Sequence, residues 1–130
     1  MYVLDTNTII YFFKGMGHVS NMLFQKPPNS IGIPTIVLYE LEVGIAKSVA
    51  PEKRMEQLEA LTAIVTILPF GIDEVKFAAN IRANLEKVGT PIGPYDVLIA
   101  ATALTNNDIL VTRNTKEFAR IEGLQLENWF

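Results

Sequence analysis

Four short apolar runs punctuate the chain: Tyr2-Val3-Leu4, Ser30-Ile31-Gly32-Ile33, Val65-Thr66-Ile67-Leu68 and Ile109-Leu110-Val111. Each is rich in β-branched or aliphatic residues, carries no charge, and is too short to be a helix, which suits a strand buried on both faces. Helix-length segments separate them. Strands that alternate with helices pair in parallel, because a crossover must carry the chain back to the same end of the sheet. Leu124 to Glu127 adds a candidate edge strand. The expected fold is therefore α/β, with three α/β/α layers around a central, mainly parallel sheet of four to five strands. With 130 residues and 49% hydrophobic content, one domain spanning residues 1–130 is expected.

The helices follow from local signals. Thr6 to Phe13 reads as a helix that stops near Lys14-Gly15, and Val19 to Phe24 as a second, closed by the loop Lys26-Pro27-Pro28-Asn29. Pro34-Thr35 opens a long helix to about Val49, since proline loses nothing at an early helical position. Glu52 to Ala63 carries charge along one side, as a solvated helix does. Asp73 is the expected cap of a helix that Gly89 stops. Pro94 begins a helix that is apolar nearly all round from Val97 to Leu104, so it is buried, and Asp96 falls in its first turn. Lys116 to Arg120 reads as a short last helix.

In a parallel sheet every strand points its carboxyl end to one side, where open α/β folds hold their ligands. Asp5 ends the first strand, and Thr112-Arg113-Asn114 end the fourth, so both belong to that side. Asp108 precedes its strand and belongs to the opposite one. Two readings of Asp5 stand side by side: a cap on the following helix, or a carboxylate in the binding crevice. The acids in the long helix divide in a similar way. At 100° per residue its apolar side centres near Leu38, Leu41 and Ile45, so Glu42 borders that side and Glu40 is the more solvent-facing.

Composition limits the chemistry. There is no cysteine, so thiolate metal sites, cysteine nucleophiles and disulfides are excluded. The single histidine, His18, reads as a lone surface residue. Clustered carboxylates without His or Cys are oxygen-ligand chemistry, suited to Mg²⁺ or Mn²⁺. A formal net charge of −3 gives no general attraction for nucleic acid, so any phosphate contact must come from locally placed cations. No basic segment followed by an apolar one opens the chain, and no apolar run is long enough to cross a bilayer, so a cytoplasmic protein without a membrane partner is expected.

Four pieces, in this order and spacing, carry a family resemblance that covers essentially the whole chain. They are Leu4-Asp5-Thr6-Asn7, Tyr39-Glu40-Leu41 with Gly44, Pro91-Ile92-Gly93-Pro94-Tyr95-Asp96 with Ile99-Ala100, and Val111-Thr112-Arg113-Asn114-Thr115-Lys116-Glu117-Phe118 with the closing Glu127-Asn128-Trp129. The chain resembles the PIN-domain ribonucleases and, among them, the VapC toxins of bacterial toxin–antitoxin pairs. That resemblance, not periodicity, selects Glu40 over Glu42. It implies that Asp5, Glu40 and Asp96 hold a divalent metal, Mg²⁺ or Mn²⁺, with Thr6 and Thr112 lining the site.

Many family members carry a fourth acid where this chain has Asn114, and three carboxylates suit one resident Mg²⁺; Glu117 reads as a surface helix residue. The implied activity is metal-dependent endoribonuclease cleavage, with transfer RNA a candidate substrate. The implied partners are a cognate VapB-type antitoxin and a second copy in a homodimer. Arg82, Arg113 and Lys116 are candidate contacts to the RNA backbone. Two other readings compete. One is a phosphoaspartyl phosphatase with Asp5 as nucleophile, against which Asn7 stands where a second Asp is usual. The other is a non-catalytic interaction module whose carboxylates only cap helices.

Overall fold

The computed structural model describes residues 1–130 as five strands and seven α-helices. The strands are β1 (Tyr2–Leu4), β2 (Ile31–Pro34), β3 (Thr66–Leu68), β4 (Ile109–Val111) and β5 (Gln125–Glu127). They form one sheet in the order β3-β2-β1-β4-β5, and every pairing is parallel. Flanked by its helices, the sheet has the three-layer arrangement expected. β1 lies at its centre, paired with Ile31 through Tyr2 and with Leu110 and Val111 through Val3 and Leu4. This explains the uncharged opening run: Val3 and Leu4 are wholly buried, together with Ile33, Leu110 and Val111.

The helices are α1 (Thr6–Lys14), α2 (Val19–Phe24), α3 (Thr35–Lys47), α4 (Glu52–Thr62), α5 (Ile72–Lys87), α6 (Pro94–Thr105) and α7 (Thr115–Phe118). A single 3₁₀ turn, Pro28–Ser30, occupies part of the expected loop before β2. Two local expectations are corrected. The α5 cap is Gly71, not Asp73; the Glu74 carboxylate turns back to accept the Gly71 N–H at 3.4 Å, and Asp73 sits inside the first turn. α7 begins at Thr115 and ends at Phe118, because Phe118 must enter the core, where it is 1% exposed.

From β1 the chain steps to β2 on one side, whereas from β4 it steps to β5 on the other. The order of the strands therefore reverses between β1 and β4, and the crevice beyond their carboxyl ends is the topological switch point of the fold. Asp5 and Thr112 are the residues that follow these two strands.

Candidate active site

Asp5 is fixed by both neighbours of the crevice. Its backbone N–H donates to the Val111 carbonyl at 3.2 Å, extending the β1–β4 pairing by one residue. Its carboxylate caps α1, accepting the Thr8 N–H at 2.9 Å. The Thr8 hydroxyl donates to the same Val111 carbonyl at 3.1 Å, closing the corner. Asp5 is only 6% exposed, and burial pushes its carboxyl above the ordinary range; hydrogen bonds from Thr112 and Thr8 pull the other way. The cap and the crevice carboxylate are one and the same group.

Thr112 is wholly buried and receives the Asn114 N–H on its hydroxyl at 3.0 Å, which orients that hydroxyl beneath Asp5. On the other flank the Thr6 hydroxyl donates to Glu40 at 2.7 Å. That bond ties α3 to the start of α1 and holds Glu40 one residue from Asp5's own position. The expected orientation of α3 is corrected here. Its buried residues are Val37 and Leu41, so Glu40 is half-buried on their flank while Glu42 is exposed. Leu38 and Ile45 pack against the core beside Leu41, as expected, but Val37 is buried as well, which turns the packed side toward Glu40.

Asp96 enters from the first turn of α6, behind Pro94. Its carboxyl is pushed up to about 6, first by burial, then by the charges of Asp5, Glu40 and Glu117. Four acids from four elements thus act on one another across the crevice, and no cation of the protein neutralises them. The two ion pairs of the molecule join the Met1 amino group to Asp108 at 3.1 Å, at the opposite end of the sheet, and Arg82 to Glu86 at 3.3 Å on α5. No three acids are gathered at coordination distance around one point. Mg²⁺ is a hard, oxygen-seeking cation that keeps several of its waters when bound. Uncompensated like charges with oxygen-only donors fit such a hard cation.

The other residues singled out by sequence take distinct places. Asn114 lies on the rim, its side-chain amide donating to Glu117. Arg113 is exposed and lines a cavity of about 260 Å³ with Asp5, Asn7, Tyr11 and Asn114. Its guanidinium sits 3.6 Å from the centre of the Phe130 ring and 5.6 Å from that of Tyr11. Lys116 is exposed on α7. Arg82 stands apart, beside Pro91 and Pro94 and paired to Glu86. Sequence reasoning passed over Thr8 and read Glu117 as a surface helix residue, whereas its charge acts on Asp96. The signal for Glu117 is its spacing of three from Asn114 in a helical turn, which lets the two side chains meet.

This architecture and acidic crevice belong to the class of PIN domains: residues 2–124 match that family, and the chain is a member of it. Within the family it falls among proteins named VapC. It is 35% identical to the tRNA(fMet)-specific endonuclease VapC of Salmonella typhimurium over 98% of this chain and 97% of that one. It is 37% identical to the ribonuclease VapC2 of Rickettsia felis over 99% and 98%. Among solved structures, VapBC2 from Rickettsia felis bound to a promoter DNA fragment superposes with a TM-score of 0.92 at 37% identity, covering 99% of this chain and 98% of that one. The DNA-bound VapBC of Salmonella typhimurium also gives 0.92, at 35% identity over 99% and 98%.

Proposed function

We propose that this chain, as a single domain, is a metal-dependent endoribonuclease toxin that hydrolyses RNA phosphodiester bonds, with transfer RNA as substrate class, and is neutralised by a cognate antitoxin. The observation that carries the reading is the set of acids from different elements that act on Asp96 across the switch-point crevice. Asp5, Glu40 and Asp96 are the residues that hold the divalent cation, Mg²⁺ or Mn²⁺. When bound, such an ion supplies a water of lowered pKa and offsets the charge that builds on the phosphate oxygens. Thr6 keeps Glu40 aimed into the crevice, and Thr112 and Thr8 keep Asp5 there. Arg113 and Lys116, exposed beyond β4, are the cations we assign to phosphates on the approach, Arg113 lining one cavity with Asp5.

The antitoxin has a fitting surface. Phe12, Phe13, Leu23, Phe24, Leu61 and Ile64 line an apolar groove of about 430 Å³ between α1, α2 and α4. Phe24 and Ile64 are 77% and 60% exposed, as expected of a face that accepts an amphipathic helix. A basic side chain of that segment can then reach the acids in place of the cation. A cytoplasmic homodimer belongs to the same proposal. No helix is long and apolar enough to cross a membrane.

The test is cleavage of total RNA and of purified transfer RNA by the isolated chain. Cuts are expected with Mg²⁺ or Mn²⁺, none in EDTA, and none after addition of the antitoxin. Intact RNA in every metal, or undiminished cutting in EDTA, would overturn the reading.

A further inference from the structure

Two aromatic side chains beside the crevice have no part in hydrolysis or in the core. Tyr39 on α3 and Tyr95 on α6 are 52% and 43% exposed, and neither packs against the core cluster. Each immediately precedes one of the crevice acids, Glu40 and Asp96. Although they come from different helices, their rings meet with centroids 5.7 Å apart at an interplanar angle of 59°.

A net charge of −3 and the acids at the crevice oppose a phosphate backbone, so the few local cations leave room for a second, uncharged source of affinity for RNA. Stacking of unpaired bases on aromatic side chains is such a source, and it tolerates any base because every base has a π-face. The 59° tilt decides how many bases are involved. One base cannot lie flat on both rings, whereas the outer face of each ring is free to take one. Because Tyr39 and Tyr95 adjoin Glu40 and Asp96 in the chain, bases stacked on them lie next to the acidic crevice.

We propose that Tyr39 and Tyr95 form a stacking platform for two nucleobases of single-stranded RNA, so that the cut falls in an unpaired segment. The proposal rests on the ribonuclease reading and is tested apart from it. Short unstructured oligoribonucleotides carrying 2-aminopurine are titrated with the protein in EDTA and low salt, where no cleavage occurs. Wild type is expected to quench the fluorescence on binding. Tyr39→Leu and Tyr95→Leu should each weaken binding by on the order of tenfold and lose quenching, while Tyr39→Phe and Tyr95→Phe retain both.

Oligoribonucleotides with adjacent abasic positions need no variant. They should bind wild type as weakly as intact RNA binds the leucine variants, and should bind those variants no worse. Equal binding of intact and abasic RNA by wild type would overturn the platform, as would quenching that survives both leucine changes or no quenching by wild type. Cleavage of total RNA in Mg²⁺ is scored separately. Its absence removes the ribonuclease reading, whereas cutting with unstacked bases removes the platform alone.

Discussion

Asp5→Asn separates the two duties of the residue that ends β1. As a cap, Asn is equivalent to Asp, since its side-chain oxygen can still accept the Thr8 N–H that Asp5 accepts at 2.9 Å. A helix-capping role alone therefore leaves stability unchanged. The crevice role does not. Asp96 titrates at about 6 instead of 3.8, a gap that at about 1.4 kcal/mol per pH unit bounds the penalty on its charge at about 3 kcal/mol. Burial is the first cause, and Asp96 is only half-buried, so screening by solvent leaves the share due to Asp5 at about 1 kcal/mol or less.

Removing the buried charge of Asp5 itself acts in the same direction. Metal-free Asp5→Asn is thus expected to melt a few degrees above wild type at neutral pH. In Mg²⁺ the order should close or reverse, because the variant gains less from a ligand it holds less well. RNA cleavage should fall by orders of magnitude, as an amide neither holds the ion nor helps form hydroxide. The assay pairs thermal melting in EDTA and in Mg²⁺ with cleavage of total RNA. A variant that melts with wild type in both buffers and cuts at the wild-type rate refutes the reasoning.

Three further outcomes are expected. Thr6→Val removes the 2.7 Å bond to Glu40; kcat should drop about tenfold for each 1.4 kcal/mol of lost positioning, and Thr6→Ser should restore it. The pH dependence has a fixed sign: folded Asp96 keeps its proton up to about 6, so its destabilising charge is absent at low pH and accumulates as pH rises through the 3.8-to-6 window. The stability of Asp96→Asn relative to wild type, from urea unfolding in EDTA, should grow across that window and level off above it; a constant difference would contradict the assignment. Gly17→Ala puts a methyl group 2.5 Å from the Phe130 carbonyl oxygen at a residue with φ of +64°, so it should cost about 1–3 kcal/mol. By shifting Phe130 it also frees Arg113, and the KM for RNA should rise while kcat holds.

The sheet was legible because burial on both faces leaves a plain trace: short uncharged runs such as Val3-Leu4 and Leu110-Val111 can be little else. The side of the sheet that carries the site followed from strand direction alone, and the pairing of Asp108 with the Met1 amino group agrees with its assignment to the opposite end. Orientation of α3 was not legible. Nearly every position from Ile36 to Ile45 is apolar or small, and such a helix has no single face that periodicity can choose. What turns Glu40 inward is one tertiary bond, from Thr6, thirty-four residues away in the chain. The same holds for Glu117: as an acid on a short helix it looks solvated, yet in the fold its charge acts on Asp96 and its carboxylate accepts the Asn114 amide.

The departure at Asn114 gains its meaning from that contact. An acid at this position would stand beside Asp5 and Glu117 and add negative charge next to acids that already raise Asp96. The amide instead donates to Glu117 and leaves that carboxylate facing the crevice rim. Three acids, Asp5, Glu40 and Glu117, act on Asp96, and Glu117 lies one helical turn beyond Asn114. A cation with two positive charges offsets part of such a cluster and leaves it net negative. The remaining repulsion is borne by rigid parts of the fold: the centre of the sheet under Asp5, the buried α6 under Asp96, and the Thr6 bond across to Glu40. Acids held on loops would move apart; acids held on these elements cannot, so under the proposed reading a bound cation, not unfolding, relieves the repulsion.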